Sequence, residues 1–475
     1  MVSWLVVWIS VTSSGIRQLT ALAVARAAGS VSRLTGRGGG SSLPGVIARR
    51  VSPSLVHDVV VGQDVAVIAV TGSNGKTTTS RFITELLRGN GVRVEQNRDG
   101  ANMLQGVTTL AVSAAGWNGR IPNGTVLVIE VDEGALRLVA PDTQPRVLVV
   151  TNLFRDQLDR YGEIYAISDV IAYAAKRLRE ASTLVVNADD PLTAEIGASG
   201  THKRVTFGFE IDHSFARITS ASDSIRCPRC RSDLIYTEVY LSHLGRYKCS
   251  KCDFVRPSVD VGVTAVEIVG LASTKVHLQT PAGDLQITVP QPGLHIAYDI
   301  AAAVAAVFAA GYSLDNAERS LAHVSAAFGR LEPIQAGDRD IVLAFAKNPT
   351  SFNTNLTTLA ASGEPKHLLL ALSNTRVDGE DFGWLWDVDF ESVVSVLEHV
   401  TVSGLRADEV ANRIKYANVP ADRITFIPDR PEALDDALQQ VPSGGRLVVL
   451  AGYTPTVELR EAMRQRGWVG RRWDA

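Results

Sequence analysis

The sequence predicts an α/β protein built on two doubly wound regions, on three observations. Apolar runs rich in Val and Ile alternate with helically spaced stretches across residues 65–187. A glycine-rich loop, Thr71-Gly72-Ser73-Asn74-Gly75-Lys76-Thr77-Thr78, stands between one such run and a helix. The same alternation restarts near Asp340 and continues towards the C-terminus. Strands alternating with helices give a parallel sheet covered on both faces.

At 475 residues the chain exceeds the ~250–300 residues at which a single core stops growing. We read residues 1–55 as an N-terminal extension and loop, 56–330 as a central domain with an insertion at about 220–258, and 331–475 as a C-terminal α/β domain. The composition is that of a globular protein, 45% hydrophobic and 20% charged. With 47 basic and 50 acidic residues the net charge is -3, which gives no general attraction to nucleic acid. No apolar run approaches the ~20 residues that cross a bilayer. The Met1–Ser10 stretch is apolar but short and lacks a preceding basic region, so a signal peptide is not expected. The four cysteines all lie between Cys227 and Cys252, unlike a disulfide framework, and a cytoplasmic compartment is expected.

The segment from about Ala21 to Leu55, which includes Gly36-Arg37-Gly38-Gly39-Gly40-Ser41-Ser42, reads as a loop after an N-terminal helix. Val65–Val70 is a β-branched run suited to a strand buried on both faces. Thr78–Arg88 has helical spacing, with Phe82, Ile83, Leu86 and Leu87 apolar. Further strands are expected at Val126–Ile129, Arg146–Val150 and Thr183–Asn187, with a helix at Ile164–Leu178. Between Val205 and Val289 short alternating runs such as Lys275–Gln279 dominate, and helical periodicity returns at Ile296–Ala310. The C-terminal strands are expected at Ile341–Phe345, His367–Leu372, His399–Val402, Ile424–Ile427 and Arg446–Leu450.

A strand before it and a helix after it give the glycine-rich loop its meaning as an ATP site. Gly72 and Gly75 let successive N–H groups curl towards a phosphate. Lys76 adds charge near the terminal phosphates, the Thr77 hydroxyl can reach Mg²⁺, and the helix N-terminus adds its partial positive charge. The nucleotide site is therefore expected at Gly72, Ser73, Asn74, Gly75, Lys76, Thr77 and Thr78.

Cys227-Pro228-Arg229-Cys230 and Cys249-Ser250-Lys251-Cys252 form two C-x-x-C knuckles. Four thiolates at this spacing suit tetrahedral Zn²⁺, with iron as the alternative metal. All four ligands come from the protein, which leaves no open position, so the site is expected to be structural.

The loop Thr71–Thr78 resembles the ATP loop of Mur ligases and folylpolyglutamate synthetases, whose spacing is shorter than the general G-x-x-x-x-G-K form. Glu130-Val131-Asp132-Glu133, Thr151–Arg160 and Asn187-Ala188-Asp189-Asp190-Pro191 are similar to further segments of those enzymes in the same order. The resemblance implies ATP and Mg²⁺, with Thr77 and Glu130 as magnesium ligands. A carboxylate at a strand's C-terminal end faces the crevice where ligands bind. For Asp132 and Glu133 a solvated turn stands beside a metal role. Gln157 replaces the usual His, and Ile171-Ala172-Tyr173 occupies the region where several relatives carry a carbamylated Lys; Lys176 reads as a surface residue. Gly293–Asp299 matches the Gly-x-His-Asn-x-x-Asn segment loosely, with Ile296 and Asp299 at the Asn positions. His295 and Arg330 are implied nucleotide contacts, an interdomain salt bridge being the alternative for Arg330.

Within this family the cysteine knuckles are similar to those of the MurT-like branch, as are Lys347–Asn353, the Asp378–Glu391 stretch with its Trp384-Leu385-Trp386-Asp387, Ser403–Ala407 and Arg413–Ala417. That branch implies a Mur-type central domain with an inserted zinc ribbon of four cysteines and a Rossmann-like C-terminal domain. It implies ATP-dependent amidation of the D-glutamate α-carboxylate of lipid II, at the inner face of the membrane. The ammonia would come from a GatD-like glutaminase subunit in a heterodimer. This chain has no cysteine outside the knuckles to serve as the glutaminase nucleophile. Asp387 is implied to complete the partner's Cys-His pair, with Asp378 and Asp381 as alternates. Trp384, Trp386 and Phe390 read as core or as interface anchors. An amino-acid-adding ligase is the alternative within the fold. A ribbon-based nucleic-acid binder, suggested by Arg226, Arg229, Arg231, Arg246, Lys248 and Lys251, is disfavoured by the near-neutral charge.

Overall fold

A computed structural model describes residues 15–30, 42–97, 100–155, 164–218, 222–324, 329–375 and 378–470. Expectations resting on Met1–Ser10, the glycines at 36 and 38–40, or Asp156–Arg160 lie outside those residues. The strands of the first half are β1 (Ala66–Thr71), β2 (Arg93–Gln96), β3 (Thr125–Glu130), β4 (Val147–Val150), β5 (Thr183–Asn187) and β6 (Lys203–Phe209). A hairpin follows, β7 (Leu234–Leu241) and β8 (Leu244–Cys249), then β9 (Val261–Val269), β10 (Ser273–Thr280) and β11 (Gly283–Val289). They form a nine-stranded sheet in the order β11-β10-β9-β6-β5-β4-β1-β3-β2, with β7-β8 as a separate ribbon. The sheet is parallel from β2 to β9, and β10 and β11 extend it as an antiparallel edge.

Side chains alternate across a strand, so β1 feeds two cores. Ile68 and Val70 join Val126, Val128 and Phe82 on one face. Val67 and Ala69 join Leu127, Ile129 and Val56 on the other. This double burial explains the uninterrupted apolar run. Phe82 is fully buried, and its truncation to Ala is expected to cost about 3–5 kcal/mol. The helix Leu294–Ala309 is buried continuously from Ile296 to Val307; its alanines let it lie close against the helix Lys76–Gly89 and the sheet. That placement brings His295 and Asp299 to the phosphate loop.

One expectation is corrected. The Ala21–Leu55 segment is largely helical where described: helices run over 15–30, Leu43–Val51 and Leu55–Val60. Ala21, Leu22 and Ala25 share one buried face, and Pro44 starts the next helix, where its missing N–H is harmless. The glycine-rich composition nearby hid this short amphipathic signal.

The C-terminal strands are β12 (Glu332–Ala336), β13 (Arg339–Phe345), β14 (His367–Ala371), β15 (His399–Ser403), β16 (Ile424–Phe426) and β17 (Arg446–Ala451). Their order is β12-β13-β17-β14-β15-β16, parallel except for the β12 edge. Among the described residues no helix is long and apolar enough to cross a membrane.

Candidate active site

Strand β1 lies between β4 and β3, so the loop leaving it sits where chain connections diverge, the usual ligand crevice of such sheets. Gly72 and Gly75 have φ of 127° and 82°. A Cβ on Gly72 would lie 2.2 Å from Thr151 Oγ1, and one on Gly75 would lie 2.1 Å from Asp299 Oδ1. No side chain fits either position.

The loop is braced from β4. Asn74 N–H donates to Asn152 Oδ1 at 2.9 Å, Asn152 Nδ2 donates to the Asn74 carbonyl at 3.1 Å, and Ser73 N–H donates to the Asn152 carbonyl at 2.8 Å. Asn187 Nδ2 in turn holds the Thr151 carbonyl at 3.0 Å, and Asp190 accepts from Leu153 N–H at 2.6 Å. The Thr151–Arg155 and Asn187–Pro191 segments are thus the frame of the phosphate loop.

Lys76 is buried, its ammonium bonded to the Gly72 carbonyl and 3.4 Å from Glu133. Glu133 is also buried and supplies the countercharge that a desolvated ammonium requires, so the solvated-turn expectation does not hold for it. Asp132 accepts from Gly134 N–H and shapes the local turn. Thr77 Oγ1 donates to Glu130 Oε2 at 2.8 Å, while Asn97 holds the Glu130 backbone through both its N–H and its carbonyl. A hydroxyl and a carboxylate facing one another form the hard oxygen set that Mg²⁺ takes. Lys176 is exposed, away from this set.

A cavity opens beside the loop, lined by Asn74, Gly75, Thr78, His295, Asp299 and Arg330 among others. Burial and then the Arg330 charge push the His295 imidazole down to about 4, and its Nδ1 is buried without a hydrogen-bond partner. Burial likewise holds the Asp299 carboxyl well above the usual carboxylate range. Its Oδ1 accepts from Thr79 Oγ1 at 3.3 Å, and its Oδ2 is buried without a hydrogen-bond partner. Leu241 and Leu244 close another part of the wall from the β7–β8 hairpin. The helix Pro349–Ala361 closes a third, with Thr350, Ser351, Thr354 and Asn355. Asn348 caps that helix in a reciprocal box with Ser351, and its Nδ2 lies 3.4 Å from Asn74 Oδ1.

The four cysteine sulfurs lie within 4.8 Å of one another, with Cys227–Cys252 at 3.6 Å and Cys230–Cys249 at 3.4 Å. Tetrahedral zinc with ~2.3 Å bonds needs sulfurs about 3.8 Å apart, so the cluster fits that ion. Arg256 anchors the ribbon, meeting the fully buried Asp189 at 2.7 Å and the Phe209 carbonyl. Arg226, Arg229 and Arg246 are not a free basic patch: Arg229 pairs with Glu195 and Asp253, Arg246 with Glu210 and Asp212, and Arg226 contacts the Arg231 carbonyl.

The three C-terminal aspartates differ. Asp378 is consumed by Ser373, Thr375 and Thr454 N–H. Asp381 caps Gly383 N–H. Asp387 is partly exposed, with Oδ2 3.3 Å from Arg155 in the segment that follows β4. Phe390 is core, Trp384 packs on Phe352, and Trp386 is 57% exposed against Tyr416. Sequence reasoning missed Asn97 and the Leu241–Leu244 tip, for which no local motif exists; Arg155 stood in the Thr151–Arg160 motif without an assigned role, and Glu133 was visible but ambiguous.

Residues 70–250 match the Mur ligase middle domain, and residues 345–456 match the MurT ligase C-terminal domain. The chain is 30% identical to the MurT subunit of lipid II isoglutaminyl synthase (glutamine-hydrolyzing) from Staphylococcus aureus, over 95% of this chain and 98% of that one. It is 29% identical to the Streptococcus pneumoniae MurT subunit, over 90% and 93%. The MurF ligase of Thermotoga maritima, solved with ADP, has the same fold at a TM-score of 0.62 and 17% identity, covering 88% of this chain and 84% of that one.

Proposed function

Since this chain belongs to the MurT family of Mur ligases, a ligase subunit of lipid II isoglutaminyl synthase, we propose how its residues carry out ATP-dependent amide formation. The observation that supports this most is the joint cavity: the phosphate loop, His295, Asp299 and Arg330 face the capped helix of the MurT-type C-terminal domain across it. Gly72–Thr78 bind the triphosphate through backbone N–H groups and the helix N-terminus. His295 and Arg330 border the same nucleotide. Thr77 and Glu130 would hold Mg²⁺, which neutralises charge on the transferring phosphoryl group when bound. Cys227, Cys230, Cys249 and Cys252 would hold a structural Zn²⁺.

A carboxylate is a poor electrophile. Transfer of the γ-phosphoryl group to the D-glutamate α-carboxylate of the lipid II stem peptide gives an acyl phosphate and ADP. Ammonia then attacks the acyl carbon, phosphate leaves, and D-isoglutamine remains. Lys76 stabilises the oxygens of the moving phosphoryl group. Ammonia at neutral pH is mostly ammonium, which favours release from glutamine within a complex. The partner we propose is a GatD-like glutaminase in a heterodimer, its Cys-His pair completed by Asp387, which orients and stabilises the imidazolium. A lipid-linked substrate puts the reaction at the cytoplasmic face of the membrane.

The test is reconstitution: the chain with its glutaminase neighbour, ATP, glutamine and lipid II, read by mass spectrometry of the stem peptide. Amidation supports the assignment; addition of an amino acid instead sinks it.

A further inference from the structure

Arg155 stands where three parts of the chain meet. Its backbone follows Asn152 and Phe154, the residues that brace the phosphate loop and line the nucleotide cavity. Its Nε meets Asp223 Oδ1 at the root of the cysteine insertion, and its backbone N–H donates to Asp223 Oδ2 at 3.0 Å. Asp223 is almost fully buried, its side chain 4% exposed, so this end of the arginine is fixed. The far end of the guanidinium, Nη2, reaches Asp387 Oδ2 at 3.3 Å in the C-terminal domain.

We propose that Arg155 is a positioning residue: it holds the Asp387 carboxylate at the angle a partner's histidine needs, and makes that angle depend on the nucleotide site. The inference rests on the reading of Asp387 as the partner-facing aspartate. A forked guanidinium can hold one carboxylate on Nε and a second on its terminal nitrogen, which an ammonium cannot reproduce. Asp387 keeps Oδ1 outside the pair and is 34% exposed, so it can hold Arg155 with one oxygen and present the other. The Asp387 backbone is fixed separately: its carbonyl accepts from Asn353 Nδ2 at 3.2 Å, and Asn353 Oδ1 accepts from Asp389 N–H. Asn353 lies on the helix whose Thr350, Ser351 and Thr354 line the nucleotide cavity. Filling that cavity therefore acts on both supports of Asp387, one from each domain. Glutamine hydrolysis is thereby tuned to the presence of ATP at the synthetase site.

The experiment uses the intact heterodimer and measures glutamine hydrolysis with and without a non-hydrolysable ATP analogue. The wild type should respond to the analogue. Arg155→Gln should lower kcat for glutamine about tenfold or more, with KM little changed, and bring the response ratio to about one. Arg155→Lys, which keeps the charge but not the fork, should recover only part of the rate. Thermal melting and nucleotide binding of both variants exclude a collapsed fold. No response in the wild type, or an unchanged rate and ratio in Arg155→Gln, overturns the inference. Asp387→Asn separates the two readings. If that variant hydrolyses glutamine normally, the assignment of Asp387 itself fails; if it is inactive while Arg155→Gln is normal, only the coupling fails.

Discussion

Thr77 Oγ1 and Glu130 Oε2 meet at 2.8 Å, joining the first turn of the phosphate-loop helix to the end of β3. The contact brings together the hydroxyl and the carboxylate that we propose would hold the metal of a bound triphosphate. Glu130→Gln keeps the shape and removes the charge. It should lower kcat for amidation by about 10²–10³, as loss of one electrostatic stabiliser does, and raise the Mg²⁺ concentration for half-maximal rate. Wild-type magnesium dependence in Glu130→Gln would place the metal elsewhere. Thr77→Val should act in the same direction.

Asp299 and His295 give the cavity opposite responses to pH. Asp299 has its folded-state pKa raised by burial, so the folded protein binds the proton more tightly than the unfolded chain, and stability falls as pH rises above the unfolded value. Asp299→Asn should therefore raise the melting temperature at neutral pH and flatten its decline with rising pH. His295 is pushed down to about 4, so the unfolded chain holds more protons between roughly pH 4 and 6.5. Its contribution is present above that window and is lost as pH falls through it, at about 1.4 kcal/mol per pH unit. His295→Gln should remove that acid sensitivity in pH-dependent melts.

Arg256 and Asp189 form the anchor of the cysteine ribbon at 2.7 Å, with the carboxylate fully buried. Arg256→Met leaves Asp189 without its counterion and should cost about 3–5 kcal/mol in unfolding free energy. Asp189→Asn in the same chain should restore part of it. An additive double variant would show that the pair is not coupled.

The ribbon's other end is the Leu241–Leu244 tip in the nucleotide cavity. Chelation of the proposed zinc should lower the melting temperature, since binding free energy at a structural site is folding free energy, and weaken ATP-analogue binding. Metal analysis that finds no zinc in purified protein would remove the basis for this effect.

Much of this architecture was readable in the residues because the signals were local. Val65–Val70 with the loop behind it fixes strand, turn and helix together, and β5 falls at Thr183–Asn187 as expected. The place of Glu130 at the end of a strand was readable, and so was the clustering of the cysteine pairs, from their spacing. The rest depends on tertiary approach. Nothing near Arg155 in sequence announces Asp387, 232 positions away by subtraction of their numbers. The different surroundings of Asp378, Asp381 and Asp387 were not readable, since all three stand in one short motif and differ only in their tertiary contacts. Asp299 departs from the family pattern in sequence, and its burial against the phosphate loop showed only in the fold.

The most direct measurement follows the nitrogen. The heterodimer is given ATP, Mg²⁺, lipid II and glutamine carrying a heavy-nitrogen label on its side-chain amide, and the stem peptide is then sequenced by mass spectrometry. The label should appear in the α-amide of D-glutamate, with Asp387→Asn losing incorporation from glutamine while free ammonium still supplies the amide. Label absent from that amide, or a stem peptide lengthened by an amino acid, would contradict amidation by this chain.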